Sequence, residues 1–85
     1  MYEIVGTKKR IRQLEKLIEK RGDLKDKLSR LKQDPRRESG AHVLRGRFKG
    51  LWSCWLGYNI RMIYEIDDEN MIIKIVLMGG HEIYG

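Results

Sequence analysis

The stretch that decides the fold runs from residue 51 to residue 78 and reads LWSCWLGYNIRMIYEIDDENMIIKIVLM. It holds three β-prone runs, at 51–56, 60–66 and 71–78, with turn-forming residues between them. In the second run, alternate residues point to opposite faces, so that Arg61, Ile63 and Glu65 share one face. The third run is almost continuously apolar, which favours a central strand. The pattern predicts three consecutive strands joined by tight turns.

The first 35 residues begin with a short β-prone run, Tyr2 to Val5, and then change to helical spacing. Thr7 can cap a first helix, whose apolar stripe is formed by Ile11, Leu14, Leu17 and Ile18. Gly22 suits the end of that helix, and Asp23 can cap a second one. The second stripe is formed by Leu24, Leu28 and Leu31, and Asp34-Pro35 stops the helix.

The predicted order is therefore β-α-α-β-β-β, an α+β fold. We expect two antiparallel N-terminal helices to pack on one face of a small, mostly antiparallel twisted sheet, because no other surface can bury their stripes. The whole chain, 1–85, is predicted to form a single domain. The other face of the sheet should stay partly open.

The charge of the chain is +6 and is unevenly distributed. Residues 6–37 hold 13 lysines and arginines against 5 acids, whereas residues 64–85 hold one lysine against five acids. A basic half of this kind attracts polyanions such as nucleic acid. The alternative is a solvated helix surface that only keeps the protein soluble.

Cys54 is the only cysteine, so an intrachain disulfide and a thiolate metal site are both excluded. No signal peptide and no apolar run of 18 or more residues is present. These features predict a cytoplasmic protein that does not enter a membrane. The sequence also lacks phosphate-loop, zinc and magnesium patterns, so we expect no metal and no small-molecule cofactor.

His42 and His81 are the only histidines, one at the start of the sheet region and one just after its last strand. Two histidines at one end of a sheet can act as general base and general acid near neutral pH. Arg61, in an otherwise apolar strand, is the natural cation for a phosphate. The alternatives are that both histidines are ordinary surface residues and that Arg61 pairs with a carboxylate.

A second candidate feature is a basic turn with an aromatic residue inside it, formed by Arg45, Arg47, Phe48 and Lys49. Such a turn suits contacts with an RNA backbone and stacking on a base. Trp52 and Trp55 have opposite parity in the next strand, so one should enter the core while the other lies on the open face. Trp55 is our candidate for RNA binding. A second core tryptophan is the alternative.

The run from His42 to Ile66, read with the ending Gly-Gly-His-Glu-Ile-Tyr of residues 79–84, resembles the RelE/ParE superfamily of toxins. The shared pattern is L-x-G, then G-x-W-S, a turn, R-φ-φ-Y-x-I and an acidic turn, where φ is an apolar residue. The H-x-L-x-G start is similar to the YafQ branch. The resemblance covers roughly residues 41–84 in detail, and residues 1–40 agree in element order.

The resemblance implies a toxin of a type II toxin–antitoxin system, a metal-independent endoribonuclease that cuts mRNA on the ribosome and is silenced by a cognate antitoxin. By position, His81 corresponds to the main acid/base residue and Tyr84 to the terminal aromatic residue that orients the substrate. His42 corresponds to the first histidine of the YafQ branch, and Arg61 to the phosphate-binding arginine of the RelE branch.

The chain departs from the family pattern at Ser53, Trp55 and Asn59, which stand where relatives carry catalytic lysine, histidine or aspartate. Two other functions therefore stay open. One is a ParE-like toxin that inhibits DNA gyrase without cutting RNA. The other is a toxin fold that has lost catalysis and only binds RNA.

Overall fold

The computed structural model describes residues 1–37, 40–57 and 59–80. It contains two helices, five strands and one 3-10 turn. In chain order they are β1 (Glu3–Val5), α1 (Lys8–Lys20), α2 (Asp23–Gln33), β2 (His42–Val43), the 3-10 turn Gly46–Phe48, β3 (Trp52–Gly57), β4 (Ile60–Asp67) and β5 (Ile72–Gly79). The strands form one sheet in the order β1-β5-β4-β3-β2. Only β1 runs parallel to its neighbour, β5, and the other pairs are antiparallel. The predicted α+β class is confirmed, with β2 as a strand that the prediction did not contain.

Both helices pack on one face of the sheet through the apolar stripes that the spacing predicted. The Thr7 side chain caps α1 by accepting a hydrogen bond from the Arg10 amide at 3.2 Å. Gly22, not Asp23, occupies the N-cap of α2, and the Asp23 carboxylate instead accepts a bond from Arg21 at 3.2 Å. The buried helix residues that reach the sheet are Leu14, Leu24, Leu28 and Leu31.

The sheet side of this core comes from alternate residues of the three long strands. The fully or nearly fully buried ones are Cys54, Leu56, Met62, Tyr64, Ile73 and Ile75. Trp52 packs against this cluster at its margin. The opposite parity of Trp55 places it on the other face of β3, as the sequence predicted.

Tyr64 connects the sheet to the end of the second helix. It is completely buried, and its hydroxyl donates a 2.6 Å hydrogen bond to the carbonyl oxygen of Pro35, which is also buried. Pro35 follows the C-cap residue Asp34. This bond therefore fixes where the chain leaves α2 and turns toward β2.

Replacing Tyr64 with phenylalanine should lower the free energy of unfolding by about 1–2 kcal/mol, because a buried carbonyl loses its donor. Urea denaturation of the two proteins measures the difference. Tyr2→Phe is the matched control, since the hydroxyl of Tyr2 bonds to an exposed partner, Asp68, and its loss should cost less. Equal losses in the two variants would contradict the role given to the Pro35 contact.

Candidate nucleic-acid interface on the open sheet face

The strand register brings three of the predicted site residues onto the sheet face away from the helices. Trp55 on β3 pairs with Arg61 on β4, and His42 on β2 pairs with Ser53 on β3. Directly opposed residues of neighbouring strands point to the same face. The two pairs are separated by two residues along β3, about 7 Å. Trp55, Arg61 and His42 therefore share one small area, which we call the open-face site.

The open face is not exposed throughout. Ser53 and Ile63 lie on it by register, yet both are 0% exposed. They are central in a cross-strand row that continues to His42 on one side and Leu77 on the other. Arg61, Trp55 and His42 keep partial or full exposure, so a ligand would meet them first.

Arg61 is held by an aromatic ring rather than by a carboxylate. Its guanidinium carbon lies 3.6 Å from the centroid of the Trp55 ring, a face-on stacking distance. Its Nη1 donates a 3.4 Å hydrogen bond to the Ser53 hydroxyl. Over the ranges 1–37, 40–57 and 59–80, no carboxylate forms an ion pair with it. Within the described residues, the charge of Arg61 is therefore not neutralised by a carboxylate.

His42 is exposed, and one of its ring nitrogens already has a partner. Nδ1 lies 3.0 Å from the carbonyl oxygen of Gly40. Because a carbonyl oxygen only accepts, Nδ1 is the donor in this contact. Nε2 is then the ring nitrogen left for a substrate hydroxyl.

The basic turn lies apart from Arg61. Arg45, Arg47 and Lys49 are all exposed around the 3-10 turn, and the Arg47 guanidinium sits 5.4 Å from the Phe48 ring centroid. The turn precedes β3, whereas Trp55 lies three residues further along the strand than Trp52, about 10 Å. The turn and the open-face site are two separate cationic areas joined by β3.

His81 and Tyr84, the other two predicted catalytic residues, lie outside the residues that the structure describes. Gly79, which precedes His81 by two residues in the sequence, pairs with Arg61 in the β4–β5 register. The roles of His81 and Tyr84 stay predictions.

Nothing in the sequence indicated a polar cluster that joins the N-terminal strand and the segment after α2 to the β4–β5 turn. Arg36 donates two hydrogen bonds to Asp68, at 2.8 and 3.0 Å, and the hydroxyl of Tyr2 donates another. The Arg36 guanidinium also lies 5.8 Å from the Trp52 ring centroid. No local signal shows these contacts, because the partners lie 32 and 66 residues apart in the sequence. The cluster anchors the segment that leads from α2 toward His42.

This cluster gives the protein a predictable response to acid. The bonds from Arg36, and then the one from Tyr2, lower the pKa of Asp68 from 3.8 to about 2. A carboxyl with a lowered pKa stabilises the fold above its ordinary pKa, and that contribution is lost as the pH falls through the folded value. Asp68→Asn should therefore show a shallower loss of stability than wild type between about pH 4 and pH 2. Urea midpoints across this range measure it, with Glu69→Gln in the same turn as control. Parallel curves for Asp68→Asn and wild type would contradict the prediction.

Two features are absent from the described ranges. No helix in the described part of the chain is long and apolar enough to cross a membrane. Among the same residues, no group of three or more histidine, cysteine, aspartate or glutamate side chains could hold a metal ion.

Comparison with known proteins places the fold. No family model matches the chain, and no curated protein matches its sequence. Solved structures do match. A chain of the toxin–antitoxin complex RelBE2 from Mycobacterium tuberculosis superimposes with a TM-score of 0.70 at 24% identity, covering 94% of this chain and 98% of that one. The YoeB/ParE toxin from Agrobacterium tumefaciens gives 0.69 at 18% identity, with 95% and 99% covered. YafQ from Escherichia coli gives 0.65 at 14% identity, with 99% and 98% covered. The chain has the fold of these toxins, as the sequence resemblance predicted.

Proposed function

We propose that this chain, which shares the fold of the RelE, YoeB and YafQ toxins, is the toxin of a type II toxin–antitoxin pair and cuts mRNA on the ribosome. In the reaction, a ribose 2′-hydroxyl attacks the adjacent phosphorus and the bond to the 5′-oxygen breaks. The products are a 2′,3′-cyclic phosphate and a 5′-hydroxyl. The chemistry requires a base, an acid and a cation for the crowded phosphorane.

The observation that carries the proposal is the set of groups around Arg61, which includes no described carboxylate. A buried or half-buried charge is costly unless it is paired. Arg61 stands in a strand of apolar neighbours, and the described residues offer it a tryptophan face and one serine hydroxyl, with no counter-charge. Such an arginine is oriented and ready for an anion. Basic proteins attract nucleic acid through its phosphates, and a guanidinium forms strong hydrogen bonds to phosphate.

The proton transfers fall to the histidines in this proposal. His42 shares the open-face site with Arg61, and the contact from Nδ1 to Gly40 leaves Nε2 as the acceptor. In the sequence, His81 follows by two residues Gly79, the register partner of Arg61. We assign His81 the main acid/base role, with Tyr84 orienting the substrate. His42 is the second candidate for proton transfer.

The positive charge of the basic turn and the helices indicates which partners the protein would bind. Arg45, Arg47 and Lys49 would contact phosphates of an RNA strand that runs along β3 toward Arg61. The basic helices would face ribosomal RNA or an acidic antitoxin segment that competes for the same charge. The RelBE2 structure and a YoeB–YefM structure from Staphylococcus aureus are both complexes of a toxin with an antitoxin. We expect the protein to act in the cytoplasm as a single domain.

Inhibition of DNA gyrase is the second candidate function. The observation in its favour is that Ser53, Trp55 and Asn59 replace residues expected in a ribonuclease of this family. A ParE-like toxin does not need them. A chain that keeps the fold and binds RNA without cutting it also fits this departure.

Primer extension on an mRNA, in a reconstituted translation reaction with and without the purified protein, tests the proposal. Cuts within the codon in the ribosomal A site are the expected result. A supercoiling assay with purified gyrase runs in parallel. Gyrase inhibition without any cut would replace the proposal with the second candidate function.

A further inference from the structure

Trp55 and Arg61 form a layered unit whose chemistry goes beyond binding a phosphate. The guanidinium lies against the indole at 3.6 Å, and the Ser53 hydroxyl bonds to one of its nitrogens. An arginine is usually a flexible side chain that loses much rotamer freedom when it binds a ligand. Here the indole and the Ser53 hydroxyl already restrict the side chain, and it therefore loses less rotamer freedom when a ligand binds.

The backbone of the loop before β2 also restricts the position of the indole. Gly40 has a φ of 75°, and a Cβ built on it would lie 2.5 Å from Cδ1 of Trp55. The backbone therefore approaches the ring more closely than any residue with a side chain could. Loop backbone and guanidinium together hold the indole in place. The unit presents a flat cation rather than a bare aromatic ring.

We propose that the Trp55–Arg61 unit is a subsite for one unpaired nucleobase of single-stranded RNA, which stacks on the guanidinium with the indole behind it. Guanidinium planes stack on nucleobases in RNA recognition. The inference rests on the proposed function only in taking RNA as the ligand. It assigns Trp55 to holding Arg61 flat, not to direct contact with the base.

The location of the unit agrees with this role. Both residues are half-buried and lie about 7 Å along β3 from the His42–Ser53 pair. The backbone bonds between successive phosphorus atoms of an unstacked, extended RNA strand can cover about this length. A base stacked on the face of the guanidinium would therefore lie next to a phosphate that the N–H groups at the edge of Arg61 could bind, near His42. The stacked base would set where along the strand the reactive phosphate sits.

The test compares two short oligomers of equal charge, with no ribosome present. One is a hexamer of riboadenosine, and the other has the same ribose-phosphate backbone without bases. The wild-type protein should bind the first about tenfold more tightly, which is within the range measured for stacking of a base on a side chain. Arg61→Lys keeps the charge but loses the plane, so it should bind both equally with an unchanged salt dependence. Trp55→Phe should retain part of the preference.

Arg12→Lys is the matched control, because Arg12 is exposed on α1 and the change is chemically the same. It should keep the tenfold preference. Thermal unfolding of each variant checks that the fold is intact. Equal affinity of the wild type for the two oligomers, or no binding of either, would overturn the inference. So would a full preference in Arg61→Lys. The binding test does not depend on cleavage. A base preference would therefore support this subsite even if the separate primer-extension experiment showed no mRNA cuts, a result that would reject the proposed function.

Discussion

Replacing His81 with alanine is expected to lower the rate of mRNA cleavage by at least about 100-fold, the usual contribution of a general acid or base. Without the imidazole, the 5′-oxygen leaves as an alkoxide or waits for a proton from water. We assign this role to His81 because it follows Gly79 by two residues in the sequence, and Gly79 pairs with Arg61 in the sheet. Single-turnover cleavage on mRNA-programmed ribosomes measures the effect.

The control for this prediction is His81→Gln, which keeps a polar side chain of similar size but cannot titrate near neutral pH. It should be nearly as slow as the alanine variant. His42→Ala tests the second histidine and should also lower the cleavage rate. A wild-type rate in His81→Ala would exclude His81 from the mechanism and leave His42 as the only histidine available.

Replacing Arg61 with alanine is the second large effect that we expect, a loss of about 100-fold or more in cleavage rate. The guanidinium would bind charge that develops on the phosphorane, and removal of one such donor costs about 100- to 1000-fold in other enzymes. The fold should lose less than about 1 kcal/mol, because Arg61 gives the described part of the protein one long hydrogen bond and a ring contact. Cleavage rate and urea midpoint are measured on the same preparation.

Lys74→Ala is the matched control for Arg61→Ala. Lys74 is an exposed cation on the same face, opposite Glu65 in the β4–β5 register. Its removal should change cleavage only a few-fold, since it does not share the open-face site. A large fall in the urea midpoint of Arg61→Ala, with cleavage per folded molecule unchanged, would show that Arg61 is a structural residue.

The sequence predicted the elements whose signal is local. Leu24, Leu28 and Leu31 recur at helical spacing and are buried, and the opposite parity of Trp52 and Trp55 matches their opposite faces. The two-residue strand β2 was missed because it is defined by hydrogen bonds to β3 and not by a repeating pattern. A strand of that length leaves no periodicity to detect.

The candidate site was predictable only in part, because its contacts also depend on how the strands pair. That Arg61 needs an open surface, a carboxylate or a ligand follows from its place between Ile60 and Met62. That its neighbour is the Trp55 ring depends on the β3–β4 register, which shifts by a bulge between Trp55 and Gly57. One residue of slip would turn every side chain to the other face.

The most direct test of the account is the need for the 2′-hydroxyl at the cleaved bond. Ribosomes are programmed with two mRNAs that differ only at the A-site nucleotide identified by primer extension, which is ribose in one and 2′-deoxyribose in the other. We predict a cut in the first, with a 5′-hydroxyl on the downstream fragment, and none in the second. Cutting of both mRNAs, or of neither, would contradict cleavage by 2′-hydroxyl attack on the open sheet face.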